Sequence, residues 1–397
     1  MRIVVLTGGI GGARFLLGVR AYAREVGAEV TAVVNVGDDL RLHGLRVCPD
    51  LDSVMYTLGG GADPERGWGR TGESWTVKDE LAAYGAEPSW FGLGDKDLAT
   101  HLVRTQMLDA GYPLHEVTEA LATRWQPGIR LLPATNDRLE THAIVSARSE
   151  LASPAVANRT STVSARSELA SPAVANRTST VSARSELASP AVANRTSIVS
   201  ARSELARSEL ARSELASPAA ASDADGVGFG GTQQAIHFQE WWVRHRAQLP
   251  THRFVFVGAD AAKPAPGVTE AIAEADVVLI APSNPVVSIT PILAVAGLRD
   301  AVANGPAPVV GVSPIIGGAP VRGMADRCLA VVGVECSAAG VGQLYGARSA
   351  GGLLDGWLVA EEDAQALVPQ VSVRAAPLRM TDEAATVAMV RAAVGMA

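Results

Sequence analysis

The segment Arg2–Val19, RIVVLTGGIGGARFLLGV, constrains the fold more than any other part of the 397-residue chain. Its apolar run from Ile3 to Leu6 reads as a strand buried on both faces, the mark of a parallel sheet covered by helices. Gly8, Gly9, Gly11 and Gly12 then crowd into a five-residue window, and glycines of this density let the backbone turn sharply and approach a bulky group. From Ala13 onward, Phe15, Leu16 and Val19 recur at helical spacing. A strand, a glycine loop and a helix N-terminus together favour an anion, because the loop N–H groups and the helix dipole both attract negative charge. Phosphate is the expected guest, with tight strand-to-helix packing as the simpler reading. The glycine order is neither GxGxxG nor GxxxxGK[ST], which excludes a Walker ATPase and weighs against a dinucleotide oxidoreductase.

A 48% hydrophobic content allows a large core, arranged as one α/β domain or two smaller ones. The net charge of -7 argues against a nucleic-acid binder, which needs a basic face. Cys48, Cys328 and Cys336 have neither zinc-knuckle spacing nor the even count of a disulfide framework. No signal-peptide pattern opens the chain, and no apolar run approaches the roughly 20 residues of a bilayer span. A reduced, cytoplasmic protein without a membrane partner is expected.

Composition changes abruptly at Ser146. The unit SARSELASPAVANRTSTV fills 146–163, recurs at 164–181, and returns at 182–199 with Ile198 in place of Thr, before RSELA stutters through 202–216. Units this polar, each interrupted by proline, bury too little apolar surface to offset ordering entropy. The expected organisation is therefore a catalytic domain split into 1–145 and 227–397 by a disordered insertion at 146–226. Flanking segments ETHAIV and QAIHFQEWWVRH alternate like strands, so the insertion is expected at the tip of a hairpin, where added length costs little.

Several carboxylates fall at strand ends. VTAVVNVGDD ends in Asp38 and Asp39, and RVCPDLDSVMYTLGGG places Asp50 and Asp52 at the start of a helix. That edge is where α/β sheets gather ligands. Acids from two adjacent loops can share one Mg²⁺ with a phosphate, whereas a helix N-cap is the plainer role for Asp50 or Asp52. Downstream of Trp90 and Phe91, the spacing predicts a helix with Leu98, Leu102 and Val103 inward and Asp97, Thr100, His101 and Arg104 near its first turns. LLPATNDRLETH carries Asn136 and Asp137 at another junction. Further on, APSNPVVSI offers Ser283, Asn284 and Ser288 to a phosphate or nucleotide, and SPIIGGAPVRGMAD offers Arg322 as a phosphate ligand or as a partner of Asp326.

These motifs, with LTGGIGGARFLLG and AIHFQEWWVRHRAQLPTH, resemble the 2-phospho-L-lactate transferase family in its actinobacterial branch, over the whole chain except about 146–226. The resemblance implies a Rossmann-like α/β fold, a mostly parallel sheet with helices on both faces, in a Mg²⁺-dependent homodimer of coenzyme F420 biosynthesis. It implies transfer of a phosphoenolpyruvyl or phospholactyl group from a guanosine-diphosphate-linked donor to the ribityl hydroxyl of 7,8-didemethyl-8-hydroxy-5-deazariboflavin (Fo), releasing GMP. By the same resemblance, Asp38 and Asp50 hold Mg²⁺ with Asp39 assisting, and Gly8–Gly12 hold phosphate. Ser283, Asn284 and Ser288 take the guanosine nucleotide, while Trp90, Asp97, Thr100 and His101 shape the Fo pocket. Asn136 departs from the family pattern, which is acidic there. A nucleotide-sensing regulator with the same cleft and no turnover is the alternative.

Overall fold

The computed structural model describes residues 1–146 and 233–397, so the insertion expected at 146–226 lies, Ser146 apart, outside the described residues. In chain order the strands begin with β1 (Arg2–Thr7), β2 (Glu29–Val34), the hairpin β3 (Leu40–Leu42) and β4 (Leu45–Val47), and β5 (Arg130–Pro133). They continue with β6 (Glu140–Ser146), β7 (Gln233–His237), β8 (Thr251–Val257), β9 (Val277–Ile280) and β10 (Val309–Val312). A short pair, β11 (Ile315–Ile316) and β12 (Ala319–Pro320), precedes β13 (Gly356–Val359) and β14 (Ser372–Ala375). The helices that matter for the site are α1 (Ile10–Val26), α2 (Pro49–Leu58), α3 (Thr76–Ala83), α4 (Asp95–Asp109) and α5 (Leu114–Trp125).

Seven strands pair in the order β14-β13-β10-β9-β1-β2-β5, and every pairing in this sheet is parallel. Parallel sheets need helical crossovers, which cover them and demand apolar side chains on both faces. β1 meets that demand: Ile3 to Leu6 are at most 2% exposed, each worth about 1.5–3 kcal/mol of burial. Leu6 lies opposite Val33 on one side and Ile280 on the other. From β1 the chain builds outward through β2 and β5, then returns to build the other half from β9. The switch of direction leaves a crevice at the carboxyl ends of β1 and β9, the place where open α/β sheets bind ligands. The architecture is α/β and Rossmann-like.

A separate antiparallel sheet, β7-β6-β8, follows. Ser146 lies opposite Gln233, so the segment between them leaves and re-enters the fold at neighbouring points, as the alternating flanks predict. Strand alternation stops sooner than expected, at His237. Trp241 drives the change: it is 1% exposed, stacks 5.2 Å from Phe254 and 5.7 Å from Phe238, and sits in a short π-helical turn at Glu240–Arg244.

The expected inward face of α4 is corrected. Leu102 and Val103 are 44% and 45% exposed, while Thr100, His101, Arg104 and Thr105 are buried. This helix packs on β4 and α2, where polar groups await: the Arg46 N–H donates to Thr105 Oγ1 at 2.8 Å, and the acids of α2 draw in Arg104 and His101. Partner chemistry, not hydrophobic periodicity, sets which face is buried.

Candidate active site

Four segments converge at the crevice: the glycine loop after β1, the turn Asn35–Asp39 after β2, the first turn of α2, and the turn after β9. The Gly8 N–H donates to Ser283 Oγ at 3.1 Å, joining the two strands at the switch point. A side chain at Gly8 would place its Cβ 2.5 Å from Ser288 Oγ, and one at Gly9 would collide with the Asp50 carboxylate. The glycines are therefore required by close packing and, through that packing, by the site itself.

Asn35 organises the acids. Its Nδ2 donates to Asp50 Oδ2 at 2.9 Å and to the Val287 carbonyl at 3.3 Å, and its Oδ1 accepts from the Gly37 N–H at 2.8 Å. The Gly9 backbone packs against the Asp50 carboxylate and favours its charged form. Gln239, just past β7, donates from Nε2 to Asp38 Oδ2 at 3.1 Å. Asp39 turns the other way, to Arg46 at 2.9 Å. The charge of Asp50 reaches Asp38, so the two acids lie near each other. Neither Asp50 nor Asp52 caps α2, whose N-cap is Cys48 with no side-chain hydrogen bond.

Three buried carboxylates thus face one arginine. Burial, then the charges of Asp50 and Asp39, hold the Asp38 carboxyl well above the ordinary carboxylate range against the opposing pull of the Asn35 and Gln239 amides. Burial likewise raises Asp50 to about 7, with Asn35 opposing and Asp39 adding, and raises Asp39 to about 6 against the pull of Arg46. Asp38 Oδ1 and Asp39 Oδ1 are buried without a hydrogen-bond partner. Unpaired oxygens of this kind are costly, and hard oxygen donors beside an anion-binding loop suit Mg²⁺ chemically.

A second acidic cluster lies on the far side of α2. Asp52 accepts from both terminal nitrogens of Arg104, Nη1 at 3.1 Å and Nη2 in a closer contact. His101 Nδ1 stands 3.7 Å from Asp52, and its Nε2 stands 3.3 Å from Asp97 without hydrogen-bond geometry. Tyr56 donates to Asp97 Oδ1 at 2.6 Å. Burial pushes Asp97 up, but His101 and Tyr56 outweigh it and hold the carboxyl below its ordinary value. Asp52, Asp97 and His101 lie close enough to ligate a metal. Arg104 occupies the Asp52 oxygens and brings its own positive charge, so the Asp38–Asp50 pair suits a cation better.

The remaining predicted residues divide. Ser283 and Ser288 line the glycine loop. Asn284 Oδ1 is engaged by the Val286 and Val287 N–H groups, at 3.0 and 3.3 Å, and caps its own turn. Arg322 is exposed beside Gly67 and close enough to Arg14 for its charge, after burial, to lower the pKa of Arg14. Asp326 pairs with Arg327 at 3.8 Å rather than with Arg322. Trp90 stacks edge-on against Phe91 at 5.7 Å, and Phe91 covers the small core of Leu40, Leu42, Val47 and Leu93. Asp97, Thr100 and His101 fall in the second cluster. Asp137 is exposed and binds the Lys263 N–H at 2.8 Å, which ties two loops together. Asn136 Oδ1 accepts from the His115 N–H at 2.8 Å at the start of α5. Sequence reading missed Asn35, Gln239 and Arg14; Asn35 alone carried a signal, as a polar residue ending an apolar strand three positions before the acids.

An all-parallel Rossmann-like sheet with a glycine loop and gathered carboxylates at its switch point defines an enzyme of the group-transfer class. The family model described as 2-phospho-L-lactate transferase CofD matches residues 3–208 and 216–394, and the chain belongs to that family. It is 49% identical over 404 residues to a phosphoenolpyruvate transferase of Mycolicibacterium smegmatis, covering 100% of this chain and 99% of that protein. A phosphoenolpyruvate transferase of Nocardia farcinica is 50% identical over 396 residues, with 100% and 95% covered. Among solved structures, a UPF0052-family protein from Bacillus halodurans aligns over 99% of each chain with a TM-score of 0.50 and 15% identity, a likeness of fold alone. Among the described residues, no single helix is long and apolar enough to cross a membrane.

Proposed function

We propose that this chain transfers a phosphoenolpyruvyl group in coenzyme F420 biosynthesis, from a guanosine-diphosphate-linked donor to the ribityl hydroxyl of Fo, with Mg²⁺ at Asp38 and Asp50. The observation that carries the reading is the buried, undercompensated carboxylate set beside the glycine loop at the switch point. Bound there, a divalent cation supplies charge neutralisation for a diphosphate and alignment for the attacking alcohol.

The chain's own residues do the rest. Asn35 holds Asp50 in place, and Arg46 keeps Asp39 turned aside. Ser283 and Ser288 shape the loop on which the donor's phosphates rest, with the α1 N-terminus behind it. Arg14 and Arg322, like charges with no acidic partner among the described residues, come to rest when a phosphate lies between them. Trp90, with Asp97, Thr100 and His101, is assigned to the deazaflavin side, where a flat ring needs an apolar wall and a few polar anchors. We place the enzyme in the cytoplasm as a homodimer.

Purified protein incubated with Fo, Mg²⁺ and the enolpyruvyl guanosine-diphosphate donor is expected to release GMP and form the F420 precursor. Donor bound without GMP release would favour a regulator instead.

A further inference from the structure

The sheet that flanks the repeats is joined to the carboxylate turn by more than packing. Gln239 spans the gap: its side-chain Nε2 donates to Asp38 Oδ2 at 3.1 Å, while its backbone N–H donates to His237 Nδ1 at 3.1 Å. With Nδ1 accepting, His237 carries its proton on Nε2, which reaches the Asp39 carbonyl at 3.1 Å. Two bonds from β7 and its continuation thus hold two consecutive acids, one by its side chain and one by its backbone. From β6, the Thr141 N–H donates to the Gly37 carbonyl at 2.7 Å. His142 lies opposite His237 in the pairing, with ring centres 5.4 Å apart, and so fixes the plane of the His237 ring. Glu140, bonded to Arg138 at 2.7 Å, in turn holds His142 at 3.2 Å.

The consequence falls on Asp38. An aspartate with both oxygens free swings about its χ2 bond, which is broad and roughly two-fold. Here Gln239 takes Oδ2, and Oδ1 is left buried and unpartnered. We infer that Gln239 is a positioning residue, which commits Asp38 Oδ2 so that Oδ1 alone is presented to a divalent cation, and that His237 holds Gln239 for this task. The inference rests on the metal assignment of the preceding section. By linkage, an ion held by Asp38 should also tighten the β6–β7 pair, since coupling between two parts of a protein is reciprocal.

Mn²⁺ alone, titrated into the full chain and followed by electron paramagnetic resonance, tests this. Gln239→Met keeps the volume and removes the donor. It is expected to bind Mn²⁺ about tenfold more weakly, while its metal-free melting temperature stays within a few degrees of wild type. In wild type, Mn²⁺ is expected to slow amide hydrogen exchange across 233–242, and in Gln239→Met to leave it unchanged. His237→Phe keeps a ring against His142 but gives the Asp39 carbonyl no donor and the Gln239 backbone no acceptor. It is expected to weaken Mn²⁺ about threefold, and it keeps the test decisive if Gln239→Met does not fold. Equal Mn²⁺ affinity in wild type and the variants would overturn the positioning role while leaving the metal site standing. Wild type that binds no Mn²⁺ would remove the metal assignment, and this inference with it.

Discussion

Asp50 and Asp52 stand two residues apart on α2 and live in opposite electrostatic settings. Asp52 faces Arg104, which supplies both of its terminal nitrogens; Asp50 faces Asn35, a glycine backbone, and two further carboxylates. Both clusters are buried and acidic, and the second even holds three groups at ligating distance from one another. Charge balance separates them. A buried acid matched by an arginine is structural, because its field is already neutralised; a buried acid without such a partner is held ready for something the chain itself does not contain.

Asp38→Asn attacks the unbalanced side and should have the largest effect. GMP release is expected to fall roughly a thousandfold, while the metal-free melting temperature does not drop, because one of three repelling carboxylates is gone. Arg104→Met attacks the balanced side. Stranding Asp52 without its partner is expected to cost about 3–5 kcal/mol of stability in urea unfolding, and a loss below about 1 kcal/mol would show that the pair is not structural.

The pH dependence sharpens the contrast. Asp50, at about 7, keeps its proton in the native state over a range where the unfolded chain has lost it. Its contribution therefore destabilises the metal-free protein progressively as pH rises from about 4 to about 7. Asp50→Asn should flatten that part of a melting curve taken in chelator, and a parallel curve would remove Asp50 from the unbalanced set. Affinity for Mn²⁺ should rise across the same window, since the ion displaces those protons. Asp97, pulled below its ordinary value, acts with the opposite sign and adds stability above its unfolded pKa. The smallest effect is expected from replacing 147–232 with a two-residue turn between Ser146 and Gln233, which already face each other. Melting temperature should stay within a few degrees and turnover within about twofold; a collapse of either would assign the repeats a structural task.

The strand–loop–helix opening was legible in the sequence because local rules govern it: an apolar run, glycines, then helical spacing. The nearness of Asp38 and Asp50 was legible for a related reason: one follows β2 and the other opens α2, at the edge where topology does the gathering. The buried face of α4 was not, because its partners lie on α2 and β4 and periodicity carries no information about them. Gln239 and Asp38 are separated by 201 positions, and no local pattern announces such a contact. Asn284 offered a polar side chain to any ligand on paper, but its own turn uses it first.

β1 precedes both of its sheet neighbours in the chain, and the two follow at very different distances. Its neighbour β2 follows at once, whereas its other neighbour begins at Val277, which at typical elongation rates emerges some ten seconds or more later. Throughout that delay one margin of a strand with four consecutive apolar residues is open to stray pairing with other nascent chains. Slowed translation ahead of Val277, or a shortage of chaperones, should therefore lower soluble yield more than it harms enzyme that has already folded.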